Sequence, residues 1–538
     1  MQNLTIVFKF RDEILLSKPQ ENHLIVPEGY DDESKKWHET IFDFQSHTVF
    51  EVIPILPNFN FGRRDLEGVG LLPSMLSKLK EQIQNFLLLL EGITLDKRYL
   101  FEHVSISSFN DFTNLIPLAN PKNTPNFYNY FDIRFDKNII EENQFIQLID
   151  QFEQFLPHTN DYKHHLLDFV YLKNDVIETS ITETALNGSG MNQAYFNDMQ
   201  MTIVDTDNAA KGQGVKVSIV EVNHWNLGHA EFGGLSPTLI FPLSPASAND
   251  ILRNPNLDNS FHGNGVLGIL AAKKLTPSDQ CYGIVPKATF QLSTCQSTID
   301  LLVEENAIWE AINKSSKGDI VLVEFSNSDH SPIEYQPVIY QLLRFASQNG
   351  IIIIEPAGNG GSDIKNEAIW GNLKLITTLS GTIRTKTWDN YTTYMSTHQE
   401  LQTTSVLDKT TFINYLLNNE TGAILVGATN KNNLGSFEKS TFSNFSTNVE
   451  IYAQGNKIAT PSSNKYQVFG FTSGAAAIIT GVVASLQGIR KAAPTPKNKP
   501  LNAQQMKSVL TGSSPTLVGI NGHIPNYKNA KMNVLALP

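Results

Sequence analysis

The feature that most constrains this chain is a series of short, almost uninterrupted Val/Ile runs in its second half, each ending in polar or Gly-rich residues. The runs cover residues 215–222, 320–325, 351–354 and 423–426, with helical patterns at 266–272, 301–313 and 335–348 between several of them. Strands this apolar are typical of a parallel sheet covered by helices on both faces. We therefore predict a three-layer α/β fold around a central, mostly parallel sheet, with functional groups gathered at the carboxyl ends of its strands.

The first 190 residues have a different pattern, in which predicted strands and helices are mixed. Strand patterns occur at 4–10, 49–56, 130–135, 166–172 and 176–181, and helical ones at 71–90 and 140–156. The polar run at 187–190 is the predicted linker. We therefore divide the chain into a mixed α+β region, 1–190, and the α/β unit, 191–538.

Composition excludes several classes of protein. A net charge of -12 argues against nucleic-acid binding, which needs a basic surface. No apolar run approaches the ~18 residues of a membrane helix, and the first ten residues lack the pattern of a secretory leader. We expect no membrane partner and a cytoplasmic location. The two cysteines, Cys281 and Cys295, cannot make a disulfide framework and are predicted to be buried thiols.

Three polar residues stand at the ends of predicted elements in the α/β unit. Glu221 ends the run 215–222, where a buried carboxylate needs a partner. His262 opens a helix amid glycines, and Asn359 follows the most apolar strand of the chain. Taken singly, an ordinary satisfied or exposed histidine and a simple Asn-Gly turn are the favoured explanations of the last two.

A fourth residue, Ser473, precedes a run of small and apolar residues at 474–481 that predicts a buried helix. The N-terminus of a helix favours negative charge, such as the oxyanion that forms when a serine attacks a carbonyl. An ordinary helix cap is the simpler interpretation of this serine.

Taken together, the four segments resemble the subtilisin-like serine peptidases. The matching motifs, in the order of that family, are 212–217 with 229–232, 262–268, 357–360 and 471–475, supported by 283–288, 422–428 and 442–445. The resemblance covers about residues 195 to 515. It implies a serine endopeptidase with Ser473 as nucleophile, His262 as base, Glu221 as the acid of the triad and Asn359 in the oxyanion hole.

The resemblance also implies substrate contacts by Glu324, Phe325 and Gly358. Glu324 and Phe325 replace the substrate-binding segment of the family, and we hypothesise that Glu324 flanks the pocket for the residue before the scissile bond and favours Lys or Arg there. A carboxylate turned into the scaffold is the alternative. Family members often bind structural Ca²⁺, but the sequence has no dense carboxylate cluster, so we expect no metal and no cofactor.

Three departures from the family pattern qualify these expectations. Glu221 stands where most members have Asp, as in a bacterial subgroup of the family. Phe471 replaces a Gly before the Thr-Ser pair, so the rival interpretation is a pseudoprotease that acts as a binding or regulatory scaffold. The chain is also longer than the family requires at 362–421, which predicts an insertion near the cleft.

The end of the N-terminal region resembles a subtilase prodomain, in the succession of strand, helix and strand from 130 to 181. A prodomain would inhibit the enzyme within the same chain until it is cleaved at about 182–212. A permanently attached accessory domain explains the pattern equally well.

Overall fold

The computed structural model describes the chain in segments. Within the first 178 residues it describes strand backbones and residues 85, 89 and 151, and beyond them residues 193–201, 207–241, 261–273, 281–295, 304–327, 330–364, 420–432, 434–462, 466–517, 519 and 521–538. The chain forms two compact units, Met1–Asp175 with Leu373–Asn418, and Val176–Asn372 with Asn419–Pro538. The first unit ends before the predicted boundary at 190 because strand Val176–Glu178 pairs within the second unit.

The first unit contains two antiparallel sheets. Their strands are β1 (Asn3–Phe10), β2 (Leu15–Leu16), β3 (His23–Asp31), β4 (Lys36–Asp43), β5 (Thr48–Ile55), β6 (Phe101–Ile106), β7 (Tyr130–Asp136) and β8 (Leu167–Leu172). The sheet orders are β6-β7-β1-β8 and β2-β3-β4-β5. Strands β1, β5, β7 and β8 were predicted. Strands β2, β3, β4 and β6 were not: β2 has only two residues, and the short apolar run of β3 is followed by Pro-Glu-Gly. The predicted helices at 71–90 and 140–156 lie outside the described residues, apart from isolated positions.

The second unit is built on a sheet of eight strands. The strands of this unit are β9 (Val176–Glu178), β10 (Lys216–Glu221), β11 (Thr238–Phe241), β12 (Thr289–Thr294), β13 (Ile320–Val323), β14 (Phe325–Asn327), β15 (Ile352–Pro356), β16 (Ile424–Lys431), β17 (Phe437–Lys439), β18 (Ile451–Gln454), β19 (Ile458–Pro461) and β20 (Tyr466–Phe469). Two pairs, β9 with β14 and β19 with β20, form separate two-stranded sheets. The main sheet has the order β11-β12-β10-β13-β15-β16-β17, with β18 also paired to β16. All its pairings are parallel except that of β16 with β17, which confirms the mostly parallel sheet.

Helices cover both faces of this sheet. They are α1 (Tyr195–Asp198), α2 (Phe261–Ala271), α3 (Glu304–Asn313), α4 (Pro337–Gln348), α5 (Phe471–Ala492), α6 (Ala503–Thr511) and α7 (Tyr527–Ala536), with short 3-10 helices at Ala230–Phe232 and Ile333–Tyr335. Helices α3 and α4 pack against each other and against β10, β12 and β15, while α5 packs against α2, α7 and the strands β13, β15, β16 and β18. The predicted three-layer architecture is therefore confirmed.

Helix α5 forms the centre of the core. Its residues from Thr472 to Arg490 are all buried, which small side chains such as Ala475, Ala476 and Ala477 permit by letting neighbouring elements approach closely. It is also long and apolar enough to cross a membrane. The sequence had predicted a shorter apolar run. Because its apolar window is wholly buried in protein, it has the character of a core helix. Cys281 and Cys295 are buried thiols that form no disulfide, as predicted.

Two predicted segments fall outside the described residues. These are the linker at 187–190 and the insertion predicted at 362–421, of which only residues 362–364, 420 and 421 are described.

Candidate active site

The site begins at the carboxyl end of β10, the strand that lies between β12 and β13. Val217, Ile219 and Val220 are fully buried in this strand, and Glu221 is its last residue. The side chain of Glu221 is also fully buried. A carboxylate removed from water in this way needs compensating interactions, and a histidine supplies one of them.

His262 lies in the first turn of α2 and is 1% exposed. Its Nδ1 is 2.8 Å from Oε2 of Glu221. The ring of Phe469 packs edge-on to the imidazole, with 5.2 Å between ring centroids. Phe469 can approach α2 this closely because residue 265 is glycine: a Cβ there would lie 2.5 Å from Cδ2 of Phe469.

A buried amide ties the start of α2 to the loop that follows β10. The backbone N–H of Asn226 donates to Oδ1 of Asn264 at 2.9 Å, and Nδ2 of Asn264 donates to the carbonyl of Asn226 at 2.9 Å. This clasp holds the two elements that carry Glu221 and His262 in one arrangement. In the sequence, Asn264 is evident only as part of the histidine motif at 262–268.

Ser473 lies in the first turn of α5, as predicted. Its Oγ is 3.1 Å from Nε2 of His262, and the side chain is fully buried. The carboxylate can only accept a hydrogen bond, so Nδ1 of His262 donates to Glu221 and Nε2 is left to accept from the hydroxyl. The three side chains thus form one directed chain of hydrogen bonds from Ser473 through His262 to Glu221.

Phe471, which replaces the family's glycine, adopts the backbone conformation that glycine would favour. Its φ is 58°, in the left-handed region, where a bulky side chain is strained by about 1–3 kcal/mol. Its N–H donates to the carbonyl of Gly455 at 2.7 Å, and its ring packs against Phe442 with 4.5 Å between centroids. These contacts hold the strained residue in place and account for the tolerance of phenylalanine here.

Asn359 lies on the loop after β15 and contacts the start of α5. Its Oδ1 accepts hydrogen bonds from the backbone N–H of Thr472 at 3.1 Å and from the Thr472 hydroxyl at 2.8 Å. It thereby satisfies a donor in the first turn of the helix, where the helix itself supplies no acceptor. Because Thr472 binds Oδ1 of Asn359, the NH₂ group of the same amide points away from Thr472.

The backbone before Asn359 requires glycine. Gly358 has a φ of 92°, and a Cβ there would lie 1.9 Å from the carbonyl oxygen of His330. Asn444 holds the same loop: its Nδ2 donates to the carbonyls of Ala357 and His330 at 2.9 and 2.6 Å, and its Oδ1 accepts from the N–H of Ser362 at 3.1 Å. Asn444 is therefore a positioning residue for Asn359. It was noted from the sequence only as part of a supporting motif.

Glu324 and Phe325 follow β13 and are fully buried. The N–H of Glu324 donates to the carbonyl of Val220 at 2.9 Å, which sets Glu324 beside the strand end that carries Glu221. Burial raises the pKa of the Glu324 carboxyl well above its usual value and the Glu221 charge raises it further, while His262 and the Ser473 hydroxyl act in the opposite direction. Its preference for Lys or Arg in a substrate stays a prediction.

Metal-binding clusters are not found in the described part of the chain, where no three or more His, Cys, Asp or Glu side chains are grouped as ligands. The expectation that the protein needs no metal stays a prediction.

Comparison with known proteins decides the family. The family model of the Subtilase family, Peptidase_S8, matches residues 243–529, which is more than half of the chain. The chain belongs to the subtilase family. The matched range includes His262, Asn359 and Ser473, whereas Glu221 precedes it, so the Glu-for-Asp replacement has no support from the match. Subtilases are serine-type peptidases, which makes this protein a hydrolase of peptide bonds.

Solved structures are similar to this subtilase at low sequence identity. Fervidolysin from Fervidobacterium pennivorans, a keratinolytic enzyme related to subtilisin, is 16% identical with a TM-score of 0.44, over 75% of this chain and 56% of its own. The epidermin leader peptide processing serine protease from Staphylococcus aureus is 15% identical with a TM-score of 0.44, over 75% and 91%. The A-subunit of the AB5 toxin from E. coli is 18% identical with a TM-score of 0.40, over 63% and 99%. No curated protein matches the chain.

Proposed function

We propose that this subtilase is an endopeptidase that works through a Ser473–His262–Glu221 triad and an oxyanion hole containing Asn359. The observation that carries the proposal is the continuous hydrogen-bonded chain between three buried side chains that are far apart in sequence. Cleavage of an internally quenched peptide, blocked by a fluorophosphonate inhibitor, tests it. A folded protein that neither cleaves nor reacts would be the scaffold suggested by Phe471.

The geometry supports the following reaction. Ser473 Oγ attacks the peptide carbonyl carbon while its proton passes to Nε2 of His262. Glu221, on Nδ1, keeps the imidazole in the tautomer that can accept this proton and stabilises the resulting positive charge. The proton then goes to the leaving amine, and water, activated by the same histidine, releases the acyl group from Ser473.

Glutamate serves in this triad because its carboxylate reaches the imidazole. Glutamate is one methylene longer than the aspartate usual in the family, and the Nδ1–Oε2 distance of 2.8 Å is that of a charge-assisted hydrogen bond. The added length is therefore compatible with the role of orienting His262.

The oxyanion hole combines the NH₂ group of Asn359 with the backbone N–H of Ser473. Ser473 lies in the first turn of α5, where the positive end of the helix dipole favours the developing negative charge. Because the Asn359 oxygen is engaged by Thr472, the amide cannot turn over without breaking those hydrogen bonds. The donor is thus oriented before the substrate arrives.

Replacing Asn359 by Ala or by Asp is expected to lower kcat about 10²–10³-fold with little change in KM, because the lost donor acts on charge that forms only in the transition state. Asp retains an oxygen that can accept the hydrogen bonds from Thr472. Comparing the two variants therefore separates loss of the NH₂ donor from loss of the hydrogen bonds to Thr472. Steady-state hydrolysis of a peptide substrate measures the effect. A wild-type kcat in the Asp variant would remove Asn359 from the oxyanion hole.

We further propose that strand β9 inhibits the enzyme within its own chain. β9 pairs antiparallel with β14, in the register Val176↔Asn327, Ile177↔Ser326 and Glu178↔Phe325. β14 begins next to Glu324 and so next to the triad, and an extended substrate would bind this edge by the same strand addition. β9 and a substrate therefore compete for one edge.

Two separate variants, Ile177→Pro and Glu178→Pro, test this competition. Backbone N–H groups of successive strand residues point to opposite sides, so only one of these substitutions removes a donor to β14, and the other is its matched control. We expect one variant to react with a fluorophosphonate about tenfold faster than wild type, as the loss of a hydrogen bond of about 1.4 kcal/mol allows. Equal rates for wild type and both variants would exclude inhibition by β9.

A further inference from the structure

Two glutamates of neighbouring strands in the main sheet are fully buried, and neither carboxyl makes a hydrogen bond of ordinary length and angle. They are Glu324, after β13, and Glu355, in β15. Glu355 faces Glu334, whereas Glu324 is held beside the end of β10 by the hydrogen bond from its N–H to the carbonyl of Val220 and faces the Ser473 hydroxyl. The reaction assigned to the triad does not use Glu324. A buried acid beside a nucleophile therefore needs an explanation.

The titratable groups that face Glu324 come from two neighbouring elements. They are Glu221 at the end of β10 and His262 on α2, and the Ser473 hydroxyl faces it from α5. None of these is Lys or Arg, so among the residues that the structure describes no permanent positive charge faces the two carboxylates. Two negative charges close together in a dry site are strongly unfavourable. Because Glu221 carries its charge against His262, Glu324 is the carboxyl that retains a proton.

We propose that Glu324 is a positioning residue for the nucleophile: the enzyme is active while this carboxyl holds its proton, and loss of the proton turns the Ser473 hydroxyl away from His262. The inference rests on the proposed triad. It assigns the peptidase an upper pH limit set by a residue outside that triad.

The protonated form completes the hydrogen-bonded chain. A carboxylic acid has one O–H, which donates to Oγ of Ser473, while the single O–H of Ser473 donates to Nε2 of His262. The order is then Glu324, Ser473, His262 and Glu221, with each proton directed to the next group. Burial, which raises the pKa of Glu324, favours this protonated form.

The ionised form opposes the reaction in two ways. A carboxylate only accepts hydrogen bonds, so it competes with His262 for the single hydroxyl proton of Ser473. It also places a full negative charge beside the position where the oxyanion develops, in surroundings of low dielectric constant. Stabilisation of the imidazolium by the same charge adds little, because Glu221 already contacts His262 at 2.8 Å.

The pH dependence of the rate of Ser473 labelling by a fluorophosphonate, between pH 5 and 10, tests the proposal in wild type and in Glu324→Gln. Glutamine has nearly the shape of the protonated acid and retains a donor at every pH. We expect the wild-type rate to fall about tenfold for each pH unit above the pKa of Glu324. The glutamine variant should lack this alkaline fall and hold its own maximal rate to pH 10.

Glu355→Gln is the matched control, because Glu355 is an equally buried glutamate in a neighbouring strand that faces Glu334. It should show the wild-type profile. A wild-type profile without an alkaline fall, an equal fall in Glu324→Gln, or a folded Glu324→Gln that is inactive at every pH would each overturn the proposal. If wild type does not label at any pH, the triad itself fails, and that result is distinct from all three.

Discussion

Replacing Ser473 by Ala is expected to lower kcat for peptide hydrolysis by about 10⁶-fold, the largest effect of any single change in this protein. The substitution removes the proposed nucleophilic oxygen while leaving the proposed oxyanion donors and the edge of β14 intact. KM should therefore stay within about twofold of wild type. Progress curves at high enzyme concentration, with inhibitor-treated wild type as the background, measure the residual rate.

Ser485→Ala is the matched control for this change. Ser485 is a buried serine of the same helix that hydrogen-bonds to the carbonyl of Ala210 and to the hydroxyl of Tyr527. Its loss should lower the free energy of unfolding by about 1–3 kcal/mol and leave kcat unchanged. A residual kcat in Ser473→Ala within about 100-fold of wild type would show that another residue or a different reaction carries the activity.

Replacing Glu221 by Gln is expected to lower kcat by about 10⁴-fold without unfolding the protein. The glutamine amide has nearly the same shape, but it carries no charge to stabilise the imidazolium. It also permits the tautomer in which Nε2 holds the proton and cannot accept one from Ser473. Thermal unfolding and peptide hydrolysis, measured on the same preparation, separate loss of fold from loss of function.

Glu221→Asp restores the charge but shortens the side chain by one methylene. Since the wild-type contact to Nδ1 is 2.8 Å, the shorter carboxylate falls short by about 1 Å, and we expect a loss of about 10²-fold. The Asp variant should therefore lie between wild type and the Gln variant. Wild-type kcat in Glu221→Gln would remove Glu221 from the triad.

Much of the fold was predictable because its strands are so apolar. The runs at Ile320–Val323 and Ile352–Pro356 are entirely buried, and a strand buried on both faces has a composition that few other structures share. The same property placed Glu221 and Asn359 at the carboxyl edge of one sheet, and the motif order brought His262 and Ser473 to it. The wholly buried state of α5 was less apparent, because apolar composition alone does not distinguish a core helix from a membrane helix.

The contacts of Glu324 were beyond sequence analysis for a physical reason. Its position at the end of β13 was evident, but the sequence does not say which way a side chain points where a strand ends. The structure shows the side chain fully buried and its backbone held beside the end of β10, which carries Glu221. The pairing of β9 with β14 joins segments about 150 residues apart, and three-residue strands have no periodicity that would reveal such a partner.

Mass spectrometry of the fluorophosphonate adduct tests the triad most directly. Wild type should gain a single adduct, mapped to Ser473, and both Ser473→Ala and His262→Ala should gain none under the same conditions. An adduct on a different residue, or equal labelling of Ser473 in folded His262→Ala, would contradict the account.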